Sequence, residues 1–281
     1  MSIDSSGSDP IPHIIDGIPI HLRDVRVYIS RPDLTVNPTS CEPFKVESRL
    51  TGSGANFGTS ADDTTAVVSS PYQAFNCGSV PFKPRLKLRL RGGTGRGAFP
   101  ALRAELRPRA GDANIAAAKV TLPPSEFLEQ RHIKTICTLP QFAAETCPSE
   151  SVYGSAQALS PLLAQPLQGP VYLRASPGRQ LPDLVADLHG GGLGLRIEVV
   201  GHIDSIHGGL RGTFEGIPDA AVSRFVLNLE GGKRGLLVNS QDTCAGKQHA
   251  DARFVGHNNV GIRLRPTIEV NCTKSKKRRR G

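Results

Sequence analysis

The chain has 281 residues, enough for one large domain or two medium ones. Hydrophobic residues make up 38% and aromatics 5%, there is no Trp, and Gly and Pro number 30 and 22, which argues for many turns around an aliphatic core and against long helices. The net charge is +9, but Lys274, Lys276, Lys277, Arg278, Arg279 and Arg280 concentrate six cations in the tail, so the body is near balance. With no aromatics interleaved among its basic residues, the body does not read as a specific nucleic-acid-binding surface.

In chain order, residues 1–11 are polar, read as disordered, and lack the apolar core of an export signal. Strands are predicted where apolar and polar residues alternate, because successive strand side chains face opposite ways. The first is Val25-Arg-Val-Tyr-Ile-Ser30, followed by Leu86-Lys-Leu-Arg-Leu90 and Leu102-Arg-Ala-Glu-Leu106. Between the cysteine-flanked segments, Pro124-Ser125 before Glu126-Phe-Leu-Glu-Gln130 predicts one or two helical turns capped by Ser125, and Pro140–Thr146 predicts another. Further strands are predicted over Leu184–Leu188, Leu195–Val199, Phe225–Leu229 and Gly261–Arg265. Glycine runs at 92–93, 190–192, 208–209 and 231–232 mark turns. No apolar run of about 18 residues occurs, so no transmembrane helix is expected.

Alternation of this kind buries one face of each strand and wets the other, which predicts an all-β antiparallel β-sandwich with one or two short helices. Leu88–Leu106 resembles Val171–Leu188: both have a Leu-Arg strand end, a Gly-Arg turn and a Pro-x-Leu-x-Ala-x-Leu stretch. The repeat predicts two lobes, 12–148 and 149–272, followed by a basic disordered tail over 273–281. The plainer explanation is that two Leu- and Arg-rich hairpins look alike.

Six cysteines, Cys41, Cys77, Cys137, Cys147, Cys244 and Cys272, fall into three sequential pairs without the spacing of a zinc knuckle or a redox motif. They read as three structural disulfides, local pairing being the favoured one of 15 connectivities, and hence as an extracellular or cell-surface protein. The missing export signal is reconciled if the chain is the C-terminal portion of a longer exported protein. The alternative is a cytosolic protein with six reduced thiols.

Several stretches carry a family resemblance: Phe142-Ala-Ala-Glu-Thr-Cys-Pro148, Gly169-Pro-Val-Tyr-Leu-Arg174, Leu181-Pro-Asp-Leu-Val-Ala-Asp187, Val222-Ser-Arg-Phe-Val-Leu227 and Gly231-Gly-Lys-Arg-Gly-Leu-Leu237. Over roughly residues 80–272 the chain resembles the C-terminal region of an uncharacterised family of large, exported, multidomain proteins of high-GC actinobacteria. The resemblance implies export, richness in β-structure and other domains in a longer chain; it implies no activity.

Candidate chemistry is sparse. In His202-Ile-Asp-Ser-Ile-His207, a strand would place His202 and Asp204 on one face and a turn can return His207, giving a weak zinc-ligand set against the plainer reading of hairpin polarity. Ser205, His257 and Asp251 make a Ser-His-Asp triad only on paper, since no G-x-S-x-G elbow is present. Arg91-Gly-Gly-Thr-Gly-Arg-Gly97 lacks the Lys-Ser/Thr of a phosphate loop and reads as a wide turn. Asn271-Cys272-Thr273 matches a glycosylation acceptor by pattern alone. The expectation is a non-enzymatic module with a structural, adhesive or assembly role, needing no cofactor, whose tail cations Lys274–Arg280 attract anionic cell-envelope polymers. The alternatives are a carbohydrate- or ligand-binding sandwich, disfavoured by the lack of Trp platforms, and a metal-dependent hydrolase.

Overall fold

A computed structural model describes residues 14–19, 24, 26, 28, 36–52, 64–190, 192, 194–206 and 208–272. Most of the predicted strand 25–30, as well as His207 and the tail cations, lie outside these residues. Contacts divide the chain into two units, residues 1–37 and 38–281. In the first, β1 (Ile14–Ile15) and β2 (Ile18–Pro19) form a minimal hairpin across Asp16 and Gly17, both at positive φ as such a tight turn requires.

The second unit begins with an antiparallel ribbon, β3 (Pro43–Gly52) and β4 (Thr64–Gln73), exposed along its whole length. A disulfide between Cys41 and Cys77 ties its two ends. Its foot is held by Asp219, whose carboxylate accepts from the Thr39 and Ser40 amides, the Thr39 hydroxyl and the Asn114 side-chain amide at 2.8–2.9 Å.

Twelve strands then share one hydrogen-bonded sheet. They are β5 (Arg85–Arg91), β6 (Ala101–Arg107), β7 (Ile115–Thr121), β9 (Val152–Leu159), β10 (Leu167–Arg174), β11 (Asp183–Gly190), β12 (Leu195–Ile206), β13 (Gly209–Phe214), β14 (Arg224–Leu229), β16 (Asp251–Gly256), β17 (Gly261–Leu264) and β18 (Ile268–Val270). The order is β17-β16-β7-β13-β12-β11-β10-β9-β14-β6-β5-β18. Every pairing is antiparallel except β18 with β5. All-β architecture therefore holds. The predicted strands at 86–90, 102–106, 184–188, 195–199, 225–229 and 261–265 each fall on one of these elements. Strands from both sides of residue 148 lie side by side: β6 pairs β14, and β7 sits between β13 and β16. Alternation predicts a buried and a wet face, and one curled sheet satisfies it as well as two stacked sheets do.

The curl follows from the ends of the order. β17 and β18 are the terminal strands of the sheet, yet only residues 265–267 separate them. Across that link the Ala250 amide donates to the Pro266 carbonyl at 3.1 Å, and the Ile268 amide to the Gln248 carbonyl at 2.9 Å. On its other side β18 pairs Ile268 with Leu88 of β5. Residues 261–270 thus form one continuous segment, two short strands and their link, that joins both ends of the sheet and turns its inner face on itself.

That inner face forms the main core. Leu88, Leu102, Ala156, Val171, Leu173, Leu184, Leu188, Ile203, Leu227 and Ile268 meet there, drawn from eight strands. Each fully buried Leu contributes roughly 1.5–3 kcal/mol. With few aromatics to fill a wide curl, a second ribbon adds bulk: β8 (Glu126–Leu128) pairs β15 (Leu237–Asn239), and Leu236 and Leu237 join the cluster. The helical turns predicted over 124–130 are corrected here. Pairing with β15 pulls residues 126–128 into a strand, and only Gln130–His132 makes a 3-10 turn. The second prediction lands on α1 (Leu139–Ala143), where Thr138 and Gln141 form a reciprocal capping box.

α1 covers the outer face of β11. A disulfide joins Cys137 to Cys147 across it, burying Phe142 against Val185. Arg174 and Arg196 lie over the Phe142 ring, 4.9 and 5.2 Å from its centroid. A third disulfide links Cys244 to Cys272, beyond the closing strand.

Candidate polyanion-binding surface

Of the residues nominated for metal binding, His202 and Asp204 are described and His207 lies outside the described residues. His202 and Asp204 do share the outer face of β12, but each has a partner from another strand. His202 Nδ1 lies 2.7 Å from Asp183, and Asp204 accepts from Arg211 at 3.0 Å. Among the described residues no three His, Cys, Asp or Glu side chains converge on a metal position. The paper triad also comes apart: Asp251 and His257 flank opposite ends of β16, and the His257 ring bonds the Ile217 carbonyl at 2.9 Å.

The densest ionic cluster lies beside α1, where Arg196 bridges Asp187 at 2.8 Å and Glu145 at 3.1 Å. Burial raises the cost of the Asp187 charge, but hydrogen bonds from Arg196 and His189 overcome it and hold the carboxyl below its ordinary range. A second cluster centres on Glu105. Desolvation opposes its charge, yet bonds from Arg224 and Arg107 hold it at about 2. In both clusters every cation is spent on a carboxylate of the fold, which makes them staples between strands.

Two grooves mark the outer face. One, of about 480 Å³, is lined by Ser155, Gln157, Gln168 and Asn228, with Arg103 and Arg224 beside them. Both guanidiniums already serve Glu105. The other, of about 320 Å³, is lined by Lys119, Thr121, Arg211, Asp251, Arg253 and Arg263. It is built by register. Arg253 of β16 lies directly opposite Arg263 of β17 on one side and Lys119 of β7 on the other. The alternation of each strand explains the facing: Ala118, Ala252 and Phe254 turn inward to a second core cluster, so Lys119, Arg253 and Arg263 turn out. All three are exposed, and none has an ion-pair partner among the described residues.

Adjacent strands lie about 4.8 Å apart, so three cations fall in a line about 10 Å long. Like charges directly opposite on a sheet are destabilising. The neighbouring row, Asp251–Thr121–Arg211–Asp204, has carboxylates at its ends, but the only cation it neutralises is its own Arg211. No sequence motif marks this row, because its members come from positions 119, 253 and 263. The available signal is the Ala252-Arg-Phe-Val and Ile262-Arg-Leu-Arg alternation, with cations at the outward positions.

No helix among the described residues is long and apolar enough to cross a membrane. No family model, curated protein or solved structure matches the chain.

Proposed function

We propose that this chain is a non-enzymatic extracellular or cell-surface module with an adhesive role, one that holds anionic polymers of a cell envelope. The observation that carries this reading is the row of unpaired cations on the outer face, a like-charge arrangement that costs stability unless a ligand neutralises it. The three disulfides support an oxidising compartment, and the resemblance to exported actinobacterial proteins agrees with it. The tail cations Lys274–Arg280 would add a sequence-independent attraction to the same partners.

The test is retention on isolated anionic cell-wall polymer. Binding at low ionic strength with release by about 0.5 M salt is expected, since exposed charges are screened over a few ångströms at that strength. Passage through the column at low salt would overturn the reading. Removing residues 274–281 measures the share owed to the tail; retention is expected to weaken without disappearing.

A further inference from the structure

We infer that Arg263, Arg253 and Lys119 form a binding track for a linear anionic polysaccharide lying across the strands, one acidic sugar after another. The inference rests on the adhesive reading above and assigns its ligand and its site. Three features on the outer face select this ligand. The first is spacing: cations recur once per strand, about 4.8 Å apart, and an extended uronate chain offers charges that recur sugar by sugar along a line. The second is width. Moving along the strands, the row is bordered on one side by Val255 and Ala117, directly paired, and on the other by Asp251 and Thr121. Exposed Arg265, two residues from Arg263, accompanies Asp251 on that flank, so the line is bounded there by mixed charge and on the other side by Val255 and Ala117, which suits a thin chain. A flat anionic lipid surface would meet Asp251 as well. The third is chemistry. The β16 aromatic, Phe254, is buried on the inward face, so the track offers no stacking platform for nucleic-acid bases.

Only charge is involved, so affinity is expected to follow ion release, with each cation that meets the polymer adding about one to the slope of log K against log salt. The probe is polygalacturonate, titrated calorimetrically into the full chain over a range of salt. In the variant Lys119→Gln/Arg253→Gln/Arg263→Gln, binding is expected to fall at least tenfold and the slope to flatten by two to three. Thermal melting should hold or rise, since repulsion within the row is relieved. The control is Arg85→Gln/Lys87→Gln/Arg91→Gln, which removes as many exposed, unpaired cations from β5 and leaves the tail intact. It is expected to bind within threefold of the parent. Trigalacturonate should compete, and monomeric galacturonate at equal charge should not.

Equal losses in the two variants would show attraction by net charge alone and overturn the track, leaving the adhesive reading in place. An undiminished row variant, effective competition by the monomer, or tighter binding of linear polyphosphate than of polygalacturonate would overturn it likewise. No retention of the parent chain by any anionic polymer would overturn both.

Discussion

Replacing Gly169 by alanine is expected to cost about 3 kcal/mol or more, a large share of the roughly 5–15 kcal/mol that holds an ordinary domain folded. The reason is backbone against backbone. Gly169 lies in β10 beside β11, and a Cβ at this position would overlap the carbonyl oxygen and carbon of Asp187. Neither atom can rotate away, as the far end of a side chain would. The next residue, Pro170, has no N–H to donate to the ladder, and the pairing of β10 with β9 shifts register just beyond it, between Val171 and Tyr172. Asp187 cannot retreat either, because its side chain is fixed to Arg196. Urea denaturation of Gly169→Ala checks this against Gly95→Ala, where the added methyl meets nothing within 4 Å. A Gly169→Ala midpoint equal to that of the parent would show that the two strands separate more easily than this packing allows.

Glu126→Gln is expected to stabilise the protein near neutral pH, by an amount that grows with pH. Glu126 is fully buried between Ser125 and β15, directly opposite Asn239. No donor from the described residues reaches either of its carboxylate oxygens. The Asn239 amide nitrogen is committed to the Gly93 and Gly95 carbonyls, at 3.0 and 3.3 Å. Desolvation therefore pushes the Glu126 carboxyl above its ordinary range. The folded chain keeps a proton that the unfolded chain releases above about pH 4.3. Folded stability from this group is thus complete below that pH and is lost as pH rises, by up to about 1.4 kcal/mol per pH unit while the folded carboxyl stays protonated. Glutamine has nothing to release. Parent and variant should melt alike near pH 4 and diverge as pH rises from there until the folded carboxyl ionises, with the variant the more stable. A constant difference across that range would mean that Glu126 titrates as a normal carboxyl.

The strands most legible in the sequence are those with strong contrast between neighbours. Leu86-Lys-Leu-Arg-Leu90 shows its two faces directly, and both faces are found in β5. β7, Ile115-Ala-Ala-Ala-Lys-Val-Thr121, hides its alternation in a run of alanines, small enough to sit on either face. β8 is hidden because Pro-Ser-Glu is a good helix start, and only the distant residues 237–239 decide otherwise. The local pairing of the cysteines is the one the structure contains. Charge was legible where it is contiguous, in the tail, and invisible where it is assembled. Lys119 and Arg253 become neighbours through strand pairing, which no local pattern encodes. The same holds in reverse for His202 and Asp204: the sequence places them on one face, but Asp183 and Arg211, which occupy them, come from β11 and β13.

The closing strand has a consequence for how the chain reaches its fold. β5 finds β18 only near the far end of the sequence, as the Arg89–Glu269 pair, separated by 180 residues, shows. β6 and β7 likewise wait for β14 and β16. Contacts between such distant positions form slowly, because a long loop must be ordered before they repay it. Until residues 261–270 arrive, β5 and β16 both keep unpaired edges, and the inner leucines remain open to water. A nascent chain would therefore stay unlatched until some 180 residues beyond β5 have been made, exposed meanwhile to chaperones and to mispairing with other copies. Oxidation of Cys244 with Cys272 would follow the arrival of that segment, locking a sheet that has just closed.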